Sequence, residues 1–444
     1  MSTLPSRRLL TLLLVSTMTV MAGATISPSL PAIRETFSEA PRADLLVRLV
    51  LTIPAIFTAV GAPLAGYLID RFGRKRLLLV AMVLYGIGGA GGGLASSIWV
   101  LLGSRAFLGL SVGGVMTTAT TLIADYYEGE RRSAVMGQQA AFMGFGGVVF
   151  LVLGGVLADL SWRALFGIYL LAFVFLPGAA RYLNEPSGSE AGREEAEETS
   201  ATPGRADSAV QQQQVPWGLV GMLFALAFVG MVVFYMTPVQ IPFYLETLGA
   251  GSGTLAGLAV TASTITGALA SMAYGRVKGR VGYRGVFALL FALMAGGYTL
   301  VALASGFALA TGGLAVLGLG MGLLMPNLNN WAGEVAPQAK RGKVLGGVTT
   351  CIFLGQFASP IATQPVIDAV GLAGAFGVAG GAVGLLALGF AAWSALRRSE
   401  ARPRGDLAAA AAGEKPSQNG RTEENGRASS SEKTSKPASR KATE

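Results

Sequence analysis

The chemically capable residues of this chain gather most sharply at Gly66-Tyr67-Leu68-Ile69-Asp70-Arg71-Phe72-Gly73-Arg74-Lys75-Arg76. A carboxylate at Asp70 can face the positive N-terminal end of another helix, Gly73 permits a tight turn, and Gly66 allows close helix contact. Arg71 and Arg74 can then reach a carboxylate such as Asp125. The other reading of the segment is a positively charged inside loop with a capping Asp. Arg105 is the second feature, the one basic residue well inside an apolar run. An Arg at the centre of a membrane helix costs about 2.5–3.5 kcal/mol on insertion scales, so it should face a cavity or a partner. A part in coupling or substrate contact is one reading of it, and bridging helices through backbone carbonyls is the other. The remaining inventory excludes most enzymes. The chain has no His and one Cys, Cys351. No Walker loop or pair of carboxylates at depth supplies a nucleophile, a base or phosphate binding. No zinc or haem ligand set can be assembled, so no metal, cofactor or catalytic residue is expected.

The elements that must position these residues follow from composition. The 444 residues are 52% hydrophobic and 13% charged, with mean hydropathy +0.54, whereas a soluble domain carries about 25% charge. Charge-free stretches such as Leu77 to Ser97 and Phe307 to Pro326 have the length of about 20 residues that crosses a hydrocarbon core of about 30 Å. The pattern predicts spans at roughly 9–30, 46–69, 77–97, 99–124, 133–158, 164–183, 217–240, 253–275, 285–304, 306–332, 343–367 and 372–396. The 62 glycines suit backbone-to-backbone packing of membrane helices. Gly88 with Gly92, Gly109 with Gly113, and Gly318 with Gly322 have the spacing for it.

Orientation follows from the basic residues. Those at 7, 8, 71, 74–76, 131, 132, 181, 193, 205, 276, 278, 280, 284, 340, 341 and 343 fall on one side, and only Arg34, Arg42, Arg48 and Arg163 fall near the other. The positive-inside rule then puts both termini and the central loop in the cytoplasm of a multi-pass protein of the cell inner membrane. A competing reading takes Arg7-Arg8, the apolar run Leu9 to Met21 and Ala22-Gly23-Ala24 as a cleaved signal peptide. Cleavage would leave an odd number of spans and remove the partner of the seventh, against the symmetry that follows.

Two apolar blocks, 1–183 and 216–396, flank a polar cytoplasmic linker over 184–215 that carries Glu194-Glu195-Ala196-Glu197-Glu198 and Gln211 to Gln214. A constant offset of 209 superposes Gly66 on Gly275, Arg71 on Arg280, Gly73 on Gly282, Gly109 on Gly318, Gly113 on Gly322, Arg132 on Arg341, Gly137 on Gly346 and Asp159 on Asp368. Two six-helix bundles related by an axis along the membrane normal can rock about a site at the midplane, the geometry alternating access requires. The tail over 397–444, with 11 basic and 7 acidic residues, reads as a disordered cytoplasmic segment that solubilises or touches anionic lipid. It offers no aromatic platform for nucleic acid.

The Gly66–Arg76 segment resembles the major facilitator superfamily, whose loop between helices two and three reads G-x-x-x-D-[RK]-x-G-[RK]-[RK]. The resemblance continues through most of both blocks. Ser27-Pro28-Ser29-Leu30-Pro31-Ala32-Ile33 looks like the end of helix one in twelve-helix drug transporters, and Arg105 with Gly109 matches R-x-x-x-G. The implied fold is an all-α membrane protein of twelve helices in two pseudo-symmetric bundles. In the family the charged loop, here Gly66, Asp70, Arg71, Gly73, Arg74 and Asp125, latches the bundles in the outward-facing state against the eleventh helix, which starts near Gly342. The loop at Gly275 to Arg284 has Gly279 in the Asp position, so only the first latch is complete. Spans one, four, seven and ten of this fold line the central path. That singles out Thr25, Arg105, Met116, Phe234, Tyr235, Gln240 and Asn327, with Gln356 on span eleven; Asn329 and Asn330 form a polar group with Asn327 beside Pro326.

Two departures bear on energy coupling. The G-P-x-x-G-G pattern of drug and proton antiporters is replaced by Phe150-Leu151-Val152-Leu153-Gly154-Gly155, ahead of a familiar Leu157-Ala158-Asp159-Leu160-Ser161-Trp162-Arg163. None of the 25 carboxylates lies in mid-span, because Asp70, Asp125, Asp159, Glu246, Glu334 and Asp368 are all near helix ends. Coupling to protons would then use an acid near a mouth, such as Asp125 or Asp159, or be absent. The expected activity is export of small drug-like or lipophilic solutes by a proton-driven rocker switch, carried out by a monomer. The alternatives are proton-coupled or facilitative import of a small metabolite and, from a different class, a membrane solute sensor that does not transport.

Overall fold

The computed structural model describes residues 6–186 and 215–413; most of the expected linker, and the tail from 414 on, lie outside the described residues. Two compact units are distinguished, Met1–Ser394 and Ala395–Glu444. In the second the backbone is helical as far as Gly413, so the tail expected to be irregular from 397 begins as helix.

The first unit is helical because in lipid every backbone N–H and C=O must be satisfied within its own segment. The helices are α1 (Arg7–Ala24), α2 (Leu30–Thr36), α3 (Ala43–Phe72), α4 (Arg74–Gly91), α5 (Ile98–Tyr126), α6 (Gly129–Leu160), α7 (Leu171–Tyr182), α8 (Trp217–Thr247), α9 (Gly253–Ala302), α10 (Phe307–Val335) and α11 (Arg341–Gly413). Pro28 and Pro31, which lack a backbone donor, break the first crossing into α1 and α2 through a short 3₁₀ turn at Ser27–Ser29. Ser6, Ser97 and Ser252 start their helices by accepting from the backbone N–H of Leu9, Val100 and Leu255. Among the described residues, ten segments are long and apolar enough to cross a membrane. Two of them are double. The 50 residues of α9 would extend about 75 Å if straight, far beyond a bilayer, and the chain turns back at Gly282 (φ 68°, ψ 177°). The helix over Arg341–Leu396 turns back in the same way at Gly371 (φ 74°, ψ 176°). Counting each half of these as a crossing gives twelve.

Internal repetition is visible in conformation as well as in sequence. Gly73, which ends α3, has φ 86° and ψ 160°, close to its offset partner Gly282. Gly109 lies against Pro54 on α3, and Gly318 against Ser263, the residue that matches Pro54 under the same offset. Each half has its own apolar core, one centred on Leu12, Met82, Tyr85 and Leu108, the other on Phe287, Phe291, Leu317 and Leu324. Val239 and Phe243 of α8 pack into the first half's core, which joins the two bundles. Outward-facing side chains such as Leu94 (87% exposed) and Met272 (81%) are apolar because their solvent is hydrocarbon.

The close helix pairs make a controlled prediction. A Cβ at Gly322 would lie 2.0 Å from the Gly267 carbonyl oxygen, whereas one at Gly312 meets nothing within 4 Å. Gly322→Ala is expected to lower the unfolding midpoint in detergent by the equivalent of about 1–3 kcal/mol, with Gly312→Ala unchanged. Equal midpoints for the two variants would contradict this packing.

Candidate functional site

Between the halves, at mid-length of the helices, lies a cavity of about 370 Å³. Met116, Met143, Phe234, Tyr235, Phe353 and Gln356 form much of its wall, with Pro54 and Thr58 of α3. No charged side chain lines it. Its Ser and Thr hydroxyls are occupied at home: Thr19 donates to the Ser16 carbonyl, Thr58 to Pro54, and Ser263 and Thr264 to Val260. Tyr235 and Gln356 have no hydrogen-bond partner among the described residues and face the cavity with free polar groups. The Tyr235 hydroxyl approaches α1 at Gly23, where an added Cβ would lie 3.7 Å from it.

The halves are clasped at one end only. Call the end bearing the Gly66–Arg76 turn the loop end. Every cross-half hydrogen bond among the described residues lies toward the opposite, far end. Ser27 Oγ donates to the Pro238 carbonyl at 2.5 Å. That carbonyl is free because Pro242, four residues on, has no N–H to give it. Arg48 Nε donates to Gln240 Oε1 at 2.7 Å while its guanidinium covers the Phe243 ring at 4.7 Å. Gln240 Nε2 reaches Thr363 Oγ1 at 3.5 Å. Asp159, at the end of α6, accepts from the Gly253 and Thr254 backbone N–H groups and from the Ser252 and Thr254 hydroxyls. Sequence reading placed Arg48 among the external charges; it is buried, its guanidinium spent on the seam. Its position a turn and a half into α3 was the available signal.

At the loop end the expected latch is half made. Arg74 Nε pairs with Asp125 Oδ2 at 3.1 Å, joining α4 to α5 as the sequence suggests. Arg71 instead lies 5.7 Å from the Phe72 ring. Asp70 is exposed and has no hydrogen bond or ion pair among the described residues. Gly66, read as a close-contact position, has open space where a Cβ would be. The start of α4 is held by a residue that sequence reading missed. Glu185 takes the Arg74 and Lys75 N–H groups at 2.5 and 2.9 Å, filling the positive helix end. It sits beside Gly73, where an added Cβ would lie 2.8 Å from Glu185 Oε1. Its only sequence signal was being the first carboxylate after the sixth span. In the second half Glu334 matches Asp125 and Tyr283 matches Arg74 under the repeat offset. There the Tyr283 hydroxyl donates to Glu334, and the cation near the same carboxylate is Lys278, its Nζ 4.0 Å away, so the residue at the Arg74 position is neutral and the ion pair comes from elsewhere.

Of the sequence-predicted cavity residues, Met116, Phe234, Tyr235 and Gln356 line the cavity. Thr25 does not: it is buried where α1 meets α6, its hydroxyl on the Met21 carbonyl. Gln240 belongs to the far-end seam. Asn327 is used structurally, accepting from the Tyr274 hydroxyl and donating to the Tyr283 carbonyl. Asn329 and Asn330 are exposed, and Asn330 donates to the Pro326 carbonyl four residues back. Arg105 is fully buried outside the cavity lining. Its Nη atoms donate to the Gly89 carbonyl at 2.7 Å and the Tyr169 hydroxyl at 3.0 Å, and Phe166 and Tyr169 flank the guanidinium. That is the helix-bridging role, tying α5 to α4 and to the turn before α7. Arg105→Lys keeps the charge but not the two-armed fork. It is expected to lower the detergent unfolding midpoint nearly as far as Arg105→Met, each lost charged hydrogen bond being worth about 1.5–3 kcal/mol. An unchanged midpoint in both variants would return Arg105 to the transport chemistry.

Comparison with known proteins places this geometry. The family model described as Major Facilitator Superfamily matches residues 12–256 and 241–434. Protein spinster homolog 3 of Danio rerio is 29% identical over 189 residues, 40% of this chain and 36% of that protein; the matched stretch thus spans about a third of that relative's length. A multi-drug resistance efflux pump PmrA homolog of Lactococcus lactis is 23% identical over 327 residues, 72% of this chain and 77% of that protein. Among solved structures, that of a D-xylose-proton symporter superposes with a TM-score of 0.67 at 19% identity, covering 86% of this chain and 96% of the other. Paired six-helix halves, a central cavity between them and a family model matching both halves lead to one assignment: this chain is a multi-pass membrane protein belonging to the Major Facilitator Superfamily, whose members carry small solutes.

Proposed function

We propose that this protein exports small drug-like or lipophilic solutes across the cell inner membrane by alternating access, as a monomer with both termini in the cytoplasm. The observation that carries the reading is the cavity itself: aromatic and thioether walls, two free polar groups at Tyr235 and Gln356, and no formal charge. Apolar walls of this kind take a lipophilic body by burial and orient it through few polar contacts. A sugar or a phosphate ester would need a dense set of donors or fixed cations that this wall does not offer. Kinship with a protein named as a multidrug efflux pump homolog supports the same class. The basic loops put the loop end in the cytoplasm, so the conformation, clasped at the far end, faces inward and is ready to load from the cell interior.

Proton coupling is part of the proposal, with an acid at a mouth as carrier, since none lines the cavity. Uptake of a metabolite is the second reading, favoured by the fold shared with a D-xylose-proton symporter.

Expression in cells stripped of their own efflux pumps tests direction. Accumulation of the neutral dye Nile red is expected to fall several-fold on energised expression and to recover when the proton gradient is collapsed. Met116→Ala together with Tyr235→Phe is expected to abolish most of that difference at unchanged protein level. Growth on a single added nutrient, with no change in dye, would establish import instead.

A further inference from the structure

We infer that Asp159 is the far-end counterpart of the Asp70 loop: a carboxylate that latches one half onto the start of a helix in the other and thereby sets the conformational equilibrium. The inference rests on the alternating-access reading and adds a residue to it. Asp159 is the last acidic residue of α6, and the helix it grips, α9, begins at Gly253 in the opposite half. Four donors converge on its two oxygens: Gly253 N–H at 2.6 Å, Thr254 N–H at 3.0 Å, Thr254 Oγ1 at 2.5 Å and Ser252 Oγ at 3.0 Å. A helix start carries unsatisfied N–H groups and a partial positive charge, and a carboxylate meets both needs at once.

The neighbourhood allows contact this close. An added Cβ at Gly155 would lie 2.6 Å from the Gly253 carbonyl oxygen, and one at Gly257 would lie 2.6 Å from that of Leu151. The backbones of α6 and α9 therefore touch beside the carboxylate. No other charged side chain pairs with Asp159 among the described residues; Arg163, four residues on, is turned to the Gly93 and Ala95 carbonyls. Asp159 is otherwise exposed, and the four hydrogen bonds it accepts among the described residues all come from the second half.

Repetition makes the arrangement directional. Asp368 matches Asp159, and Asp44 matches Gly253 under the repeat offset. An acidic residue at that helix start would repel a second carboxylate, and there the seam is carried by Arg48 and Gln240 instead. At this mouth one carboxylate is engaged on a helix start, while at the loop end Asp70, the carboxylate that the family resemblance implies as a latch, is without a partner among the described residues. In a rocking molecule the two are alternatives: engaging Asp70 requires the far end to part.

Distance measurements test this directly. In a Cys351→Ser background, spin labels at Glu39→Cys and Ser305→Cys report the far end, and labels at Glu130→Cys and Arg280→Cys report the loop end. Asp159→Asn, nearly isosteric, is expected to raise the population with a long far-end distance and a short loop-end distance by about two- to fivefold, the effect of an exposed carboxylate at a helix start. Thr254→Val with Ser252→Ala, which removes the hydroxyls and leaves the backbone donors, should shift it in the same direction by less. Distributions unchanged from the parent in Asp159→Asn, while Nile red still shifts them in the parent, would overturn the latch alone. Distances that respond to neither dye nor substitution would overturn alternating access as well.

Discussion

Hydrocarbon does not tolerate charge, and that exclusion arranges the rest of this protein. With no carboxylate in mid-span, ionic contacts are driven to the helix ends, where water, other helix ends and opposite charges are available. Helix ends are also where the two halves separate or meet. The same restriction that keeps the spans apolar therefore gathers the carboxylate contacts at the ends of the helices. Arg105 confirms the rule from the other direction. Buried at depth, it is surrounded by a carbonyl, a phenol and two aromatic faces, and so holds helices together rather than meeting the solute.

Glycine supplies the complementary constraint. Helices within each half approach until backbones touch, as α3 and α5 do at Gly109 and as α9 and α10 do at Gly318 and Gly322. The surface between the halves holds the cavity, a short row of polar contacts at one end and, at Gly155 and Gly257, backbone contacts about as close as those within a half. The two halves share a template but no longer share its electrostatics: Arg74 with Asp125 in one has become Tyr283 with Glu334 in the other.

Much of this was legible in the chain itself. Hydropathy and basic loops gave the crossings, because a bilayer demands a length and a composition that few other structures require. The turn at Gly73, the Arg74–Asp125 pair and the cavity positions Met116, Tyr235 and Gln356 were legible from motif and fold. Other residues were not. Arg48 looked like an ordinary external charge, since a residue's neighbours in an opposite half leave no local trace. Asn327 looked like a cavity amide because a polar residue in a span must be satisfied somewhere, and sequence does not say that Tyr274 and Tyr283 are what satisfy it. Glu185 was hidden in a stretch whose average composition spoke only of solvation. Asp70, read as a latch from its motif, makes no hydrogen bond or ion pair among the described residues, and a motif does not announce which contacts one conformation holds.

The bond from Ser27 to the Pro238 carbonyl has a consequence for how such a protein can diversify. Its acceptor is main chain, made available by Pro242 rather than by the identity of residue 238's side chain. Phe234 and Tyr235, one turn earlier on the same helix, can be exchanged for other side chains without disturbing that attachment point. Under the proposed function, the side chains that face the solute and the attachment that joins the halves are thereby set independently on one helix, and a lineage could retune the first while the second stays as it was.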